Sequence, residues 1–162
     1  MVNFIDRIRM KCPGGEDANE ILPFLWIGNG LSATDDDFIN EKDINVIINC
    51  TKKIIPSEIC EHKYNFDVLD NSEMDQIVKM FKNLDYYTDV IENHRKDNNK
   101  ILVNCFAGKQ RSATIVAAYL IKYKKMSKKE AINLIKFKRE CCFTPNINFN
   151  IALNMFELKL KK

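Results

Sequence analysis

Several classes of protein are excluded by what this chain has little of. Only five of its 162 residues are glycine and four are proline, so neither a collagenous nor a low-complexity disordered tract can be drawn. No apolar run approaches the roughly 20 residues that span a bilayer. The opening MVNFIDRIRMK is broken by charge too soon for a secretory leader. There are two histidines, His62 and His94, and no Cys-x-x-C pair, so no metal site is expected. Neither sign of charge dominates, with 25 Lys plus Arg against 22 Asp plus Glu, which makes nucleic acid an unlikely partner without excluding it.

What is present suits one globular domain. Hydrophobic residues make up 46% of the chain, with ten Phe and five Tyr to fill a core. The lysines of residues 122–138, together with Arg139, read as the solvated face of helices. With no leader to suggest export, the six cysteines are expected as free thiols in a reducing, intracellular setting, cytoplasmic or nuclear. Cys141 and Cys142 read as buried packing.

Periodicity then divides the chain. Residues 1–18 form an N-terminal extension whose Phe4, Ile5 and Ile8 suit a short amphipathic helix. Whether that face docks on its own domain or on a partner, a second copy of the chain included, the pattern leaves open. Residues 19–160 form the main domain. ILPFLWIG (21–28) reads as a strand, Asn29-Gly30 as a turn, and the carboxylates of residues 35–37 as caps of a short helix. NVIINC (45–50) has the apolar run of a strand buried on both faces, and KYNFDVL (63–69) alternates as a second. Ser72 and Asp75 have capping-box spacing ahead of a long helix carrying Ile77, Met80, Leu84, Tyr87 and Ile91. ILVN (101–104) is another buried strand, ATIVAAYLIKY a helix, and Ser127 with Glu130 caps the next. Pro145 breaks the chain or opens a final helix carrying Phe149, Leu153 and Phe156. The alternation argues an α/β fold, a central, mostly parallel sheet flanked by helices, with its functional crevice at the carboxyl ends of the strands.

ILVN delivers Cys105 to that crevice. Between Cys105 and Arg111 lie Phe106, Ala107, Gly108, Lys109 and Gln110, enough chain to curl so that backbone amides face a dianion ahead of a helix. Gly108 permits close approach or positive φ within the curl. A thiol ringed by amide dipoles and an arginine has its pKa drawn from about 8.5 into roughly 3.5–7.5. Arg111 offers a planar fork to two phosphoryl oxygens, which lysine could not. Ser112 is placed to hydrogen-bond the sulfur. Lys109 and Gln110 could also contact a substrate.

This segment resembles the Cys-x5-Arg-Ser loop of the protein tyrosine phosphatase superfamily, and the helix after it is similar to that of the dual-specificity branch. ILPFLWIGN, VIINC and CCFTPNINFNIALNMFE resemble further segments of that branch, so the resemblance covers about residues 20–158. It implies hydrolysis of phosphotyrosine and of phosphoserine or phosphothreonine in protein substrates through a phosphocysteine intermediate, without a cofactor. Asp70 falls where the branch carries its general acid, with Asp67, Glu73 and Asp75 as rivals. The branch almost always has histidine before the nucleophile, and here stands Asn104, which can support the loop by hydrogen bonds but carries no charge. A less acidic thiol and a lower or more alkaline activity are expected from that exchange. The alternatives are a catalytically weak module that only binds phosphoproteins, or a phosphatase of RNA 5′ ends or phosphoinositides. Cys50, at the end of a neighbouring strand, is either packing or a redox partner for Cys105.

Overall fold

A computed structural model describes residues 2–162. The strands are β1 (Ala18–Leu22), β2 (Leu25–Gly28), β3 (Ile44–Asn49), β4 (His62–Asn65) and β5 (Lys100–Asn104). They form one sheet in the order β1-β2-β5-β3-β4. Only β1 pairs antiparallel, with β2, and every other neighbouring pair is parallel. β5 is therefore the middle strand. Its run Ile101, Leu102 and Val103 is wholly buried, as a strand covered on both faces must be.

Strand alternation sorts β5 between two cores. Ile101, Val103 and Cys105 join the larger core beneath α4 (Met74–Lys96), α5 (Arg111–Tyr123), α6 (Lys128–Lys138) and α7 (Asn150–Leu160). Leu102 belongs to the smaller one, with Met10 of α1 (Phe4–Met10), Ala33 of α2 (Gly30–Thr34) and Ile39 of α3 (Asp36–Glu41). Each Ile, Val, Leu or Met among these contributes about 1.5–3 kcal/mol on full burial. The same alternation directs residues 104 and 105 to opposite faces of the sheet.

Local chemistry departs from the sequence pattern at several points. The apolar run of residues 21–28 is the inner part of a hairpin, β1 and β2, rather than one strand. Asn29 does not turn the chain but caps α2: its side chain accepts from the Ser32 amide at 3.1 Å and donates to Asp17 at 2.9 Å. β4 stops at Asn65, although Phe66 and Val68 beyond it are buried in the larger core. Ser72 and Asp75 form no capping box. The first position before α4 is Glu73, which makes no capping bond, and Asn71 and Gln76 instead bind the amides of Glu73 and Leu69. The Ser127–Glu130 box is formed in full. Pro145 follows a cis peptide bond in the connection after α6 and does not open α7, which starts at Asn150.

Cys141 is not simple packing. It forms a disulfide with Cys12 across 129 positions of sequence, tying the segment after α1 to the connection after α6. Cys50, Cys60, Cys105 and Cys142 are free and buried. Met10 anchors α1, whereas Phe4, Ile5 and Ile8 stay exposed. No helix among the described residues is long and apolar enough to cross a membrane.

Candidate active site

The loop from Cys105 to Arg111 leaves the middle strand and enters α5. Its conformation is fixed by where its carbonyls go. Gly30 donates to the Phe106 carbonyl at 3.0 Å and Phe143 to that of Lys109 at 2.9 Å. The Arg139 guanidinium takes the Ala107 and Gly108 carbonyls at 3.2 and 2.8 Å. The Gln110 carbonyl accepts from the amide and hydroxyl of Thr114. Five consecutive carbonyls are thus held by groups outside the loop. Among the described residues, no backbone carbonyl accepts from the amides of Phe106 through Gln110. A curl with its carbonyls tied outward leaves its amides on the concave side, the arrangement that receives anions.

Gly108 is the residue that allows the curl. Its φ is +64°, and a Cβ there would lie 2.6 Å from the Gly28 carbonyl group of β2. Both the backbone angle and the contact exclude a side chain.

Cys105 is only 1% exposed, but polar groups meet its sulfur. The Ser112 hydroxyl lies 3.2 Å away. Burial pushes the thiol's pKa up, and the charge of Arg111 with the hydroxyl and amide of Ser112 more than reverses this, so that the net direction is downward. Arg111 is held by its Nη1, which donates to the Cys50 carbonyl at 3.1 Å and the Val68 carbonyl at 3.2 Å. Its Nε is buried with no hydrogen-bond partner among the described residues. An unsatisfied guanidinium nitrogen costs about 1–3 kcal/mol or more, and an oxyanion seated against the loop would satisfy it.

Asp70 is exposed on the chain after β4 and accepts from the Asn148 side chain at 2.9 Å. The Asn148 amide donates to Gln110 Oε1 at 3.1 Å. A chain of two hydrogen bonds therefore ties Asp70 to the loop. Gln110 is buried, and its Nε2 donates to the Asn146 carbonyl at 2.6 Å and the Thr144 carbonyl at 3.3 Å. Its side chain braces the loop against the segment before α7. Lys109 remains half-buried. Asp75 pairs with Gln76 near the start of α4, and Asp67 is exposed with no hydrogen-bond partner among the described residues.

Asn104 is wholly buried and donates from Nδ2 to Asn49 Oδ1 at 3.1 Å. Asn49 in turn donates to the Ile54 and Thr51 carbonyls and to Asn65. Asn104 thus belongs to an amide network joining the carboxyl ends of β5, β3 and β4. Its Oδ1 has no hydrogen-bond partner among the described residues. Cys50 lies beside this network, its amide bonded to the Asn104 carbonyl at 2.8 Å. Burial, then the neighbouring Cys105, push its pKa well up.

Two residues of the site escaped the sequence pattern. Arg139 reads as one more cation in a basic run, yet it is 2% exposed beneath the loop. Asn148 reads as one of many asparagines. No local periodicity marks either, because their partners lie 31 and 78 positions away in sequence.

Comparison with known proteins accords with this geometry. Residues 25–159 match the family described as dual specificity phosphatase, catalytic domain. The chain is 30% identical over 149 residues to dual specificity protein phosphatase 1B of Arabidopsis thaliana, covering 91% of this chain and 86% of that protein. It is also 30% identical over 141 residues to dual specificity protein phosphatase 5 of Rattus norvegicus, covering 87% of this chain but only 36% of the rat protein. Human DUSP28 shares its fold, with a TM-score of 0.82 at 19% identity over 91% of this chain and 97% of the other. The chain belongs to the dual specificity phosphatase family, within the cysteine-dependent protein tyrosine phosphatase superfamily.

Proposed function

We propose that this chain hydrolyses phosphotyrosine and phosphoserine or phosphothreonine in proteins, with Cys105 as nucleophile, Arg111 as phosphoryl clamp, Asp70 as general acid and base, and Ser112 as the group that eases release of sulfur. The observation that carries the reading is the curl itself. Five outward-tied carbonyls leave the amides of Phe106 through Gln110 without backbone acceptors, and the unpartnered Nε of Arg111 lies in the same site. The relatives' shared description as dual specificity phosphatases supports the substrate class.

The phosphoryl group seats against the amides and the guanidinium. The Cys105 thiolate attacks phosphorus as the bond to the substrate oxygen breaks, and Asp70 delivers a proton to that oxygen. Charge spreading over the equatorial oxygens meets donors already in place, so little reorganisation is needed. Asp70, now ionised, takes a proton from the water that attacks the phosphocysteine. The sulfur then leaves as thiolate, with the Ser112 hydroxyl as its hydrogen-bond donor.

Asn104 tunes this down. It faces the opposite side of the sheet from Cys105 and brings no charge, so the thiolate depends on Arg111, Ser112 and the loop.

The test compares wild type with Cys105→Ser on p-nitrophenyl phosphate, phosphotyrosyl and phosphothreonyl peptides, a phosphoinositide and triphosphorylated RNA. Hydrolysis of both peptides, abolished by Cys105→Ser, is the expected result. Tight peptide capture with no phosphate release would make the chain a binding module, and a dominant lipid or RNA rate would move the substrate class.

A further inference from the structure

We propose that Arg139 is a positioning residue for the Cys105 chemistry: from behind the loop it locks the anion-binding curl and supplies a second buried positive charge facing the thiolate and the bound phosphoryl group. The inference rests on the phosphatase reading above. It assigns a role to a residue that touches no substrate.

Arg139 caps the end of α6, its amide bonded to the Ile135 carbonyl at 2.7 Å. From there the guanidinium reaches four acceptors and no counterion. Nε meets the Gly108 carbonyl at 2.8 Å, Nη2 the Ala107 carbonyl at 3.2 Å, and Nη1 the Glu16 carbonyl and Asn19 Oδ1 at 2.8 and 2.7 Å. Among the described residues no carboxylate lies within 4.0 Å of it. A buried cation with only neutral partners is costly. It becomes favourable where anions gather, and the loop it holds is built to receive one.

The contact leaves no slack. A Cβ on Gly108 would come within 2.9 Å of Arg139 Nη2 as well as 2.6 Å of Gly28, so guanidinium, loop and β2 are packed as one layer. The ionisable groups whose charge bears most on Arg139 are Cys142, Cys105 and Asp17. Burial pushes the Cys142 thiol up to about 12, which keeps it neutral, and Asp17 is already near Lys11. Cys105 is itself faced by Arg111, Ser112 and Asp70. Arg139 thus acts from the Ala107 and Gly108 carbonyls of the loop, whereas Arg111 is held at the Cys50 and Val68 carbonyls and Asn104 is uncharged.

The decisive measurement is the pH midpoint of Cys105 alkylation by iodoacetamide in wild type, Arg139→Gln and Arg139→Lys, with inorganic phosphate as competitive inhibitor. In Arg139→Gln, which keeps a donor but loses the charge, the midpoint is expected to rise by about one pH unit, a roughly tenfold loss of thiolate below it. Arg139→Lys should recover most of that shift, while binding phosphate about tenfold more weakly because the fork is lost. A wild-type midpoint in a cooperatively melting Arg139→Gln overturns the proposal. Should that variant not fold, unchanged phosphate inhibition in Arg139→Lys overturns it instead. A wild-type protein whose own midpoint stays near about 8.5 would sink the underlying thiolate reading, a result distinct from either.

Discussion

Replacing Arg111 with lysine preserves the charge and removes the fork. In the native site Nη1 is committed to the Cys50 and Val68 carbonyls, while Nε has no protein partner. Nε and Nη2 are thereby left for the phosphoryl oxygens. A lysine ammonium must either hold the two carbonyls or follow the substrate, and it cannot do both from one nitrogen. At about 1.5–3 kcal/mol for each charge-assisted hydrogen bond, losing one fork bond and loosening the other predicts about 2–4 kcal/mol less transition-state stabilisation. That corresponds to roughly 30- to 1,000-fold in rate. The loss should fall mainly on kcat, because the equatorial oxygens gather charge only as the bond to the leaving group breaks. Single-turnover hydrolysis of p-nitrophenyl phosphate by wild type and Arg111→Lys, checked by matched melting curves, measures this. A folded Arg111→Lys that retains more than a third of wild-type kcat refutes the assignment of the fork.

Asp70→Asn should slow a phosphotyrosyl peptide by roughly 100-fold or more and p-nitrophenyl phosphate, with its better leaving group, far less; equal losses would remove Asp70 from proton transfer. Asn148→Ala, which frees Asp70 from its tether, should show the same substrate split at smaller amplitude. Asn104→His adds a titratable cation next to the nucleophile and is expected to lower the Cys105 alkylation midpoint and raise turnover near pH 6; an unmoved midpoint would mean position 104 acts only through packing. Because the native pKa of Cys105 is lowered, its thiolate contributes stability that is complete above the unfolded value of about 8.5 and is lost as pH falls through the native one. Urea titrations should show wild type gaining on Cys105→Ala as pH rises through that window, and a constant difference would contradict the shift. Cys12→Ser opens a covalent loop of 129 positions, for which about 2–5 kcal/mol is expected; melting with and without reductant should reproduce the loss in wild type alone.

The layers of the fold were legible because burial on both faces leaves an apolar signature. β3 and β5 carry the buried apolar runs 46–48 and 101–103, α4 and α6 repeat their buried positions at helical spacing, and α5 is buried continuously from Ser112 to Ile121. The Cys105–Arg111 segment stood out for another reason: it sets a thiol, a glycine and an arginine within seven residues of one another. The hairpin at residues 18–28 was hidden by Leu22, Pro23 and Phe24, an apolar-looking turn that does not interrupt the run. The missing cap at Ser72 shows that spacing alone cannot decide between neighbouring donors when Asn71 is also within reach. Gln110, Arg139, Asn148 and the Cys12–Cys141 bridge are tertiary facts. Each owes its role to a partner more than 30 positions distant, and a residue type by itself says nothing of such a partner.

In the proposed mechanism, charge in the loaded site links the acid and the two arginines. A thiolate and a phosphoryl dianion together bring about three negative charges. Against them stand Arg111, Arg139 and the N-terminal end of α5, the last worth about half a charge. An ionised Asp70 would add a further negative charge, and its field already opposes the thiolate in the empty site. In its proposed role Asp70 donates a proton to the leaving group. The partner of Asp70 suits that role, since Asn148 is a neutral amide able to donate to a carboxylate or accept from a carboxylic acid. As the substrate oxygen departs with the proton, the dianion is transferred to sulfur and the thiolate charge is neutralised by bonding to phosphorus. On the proposed mechanism Asp70 then receives the proton of the incoming water, so that one carboxyl serves both steps while the loop holds the phosphoryl charge throughout.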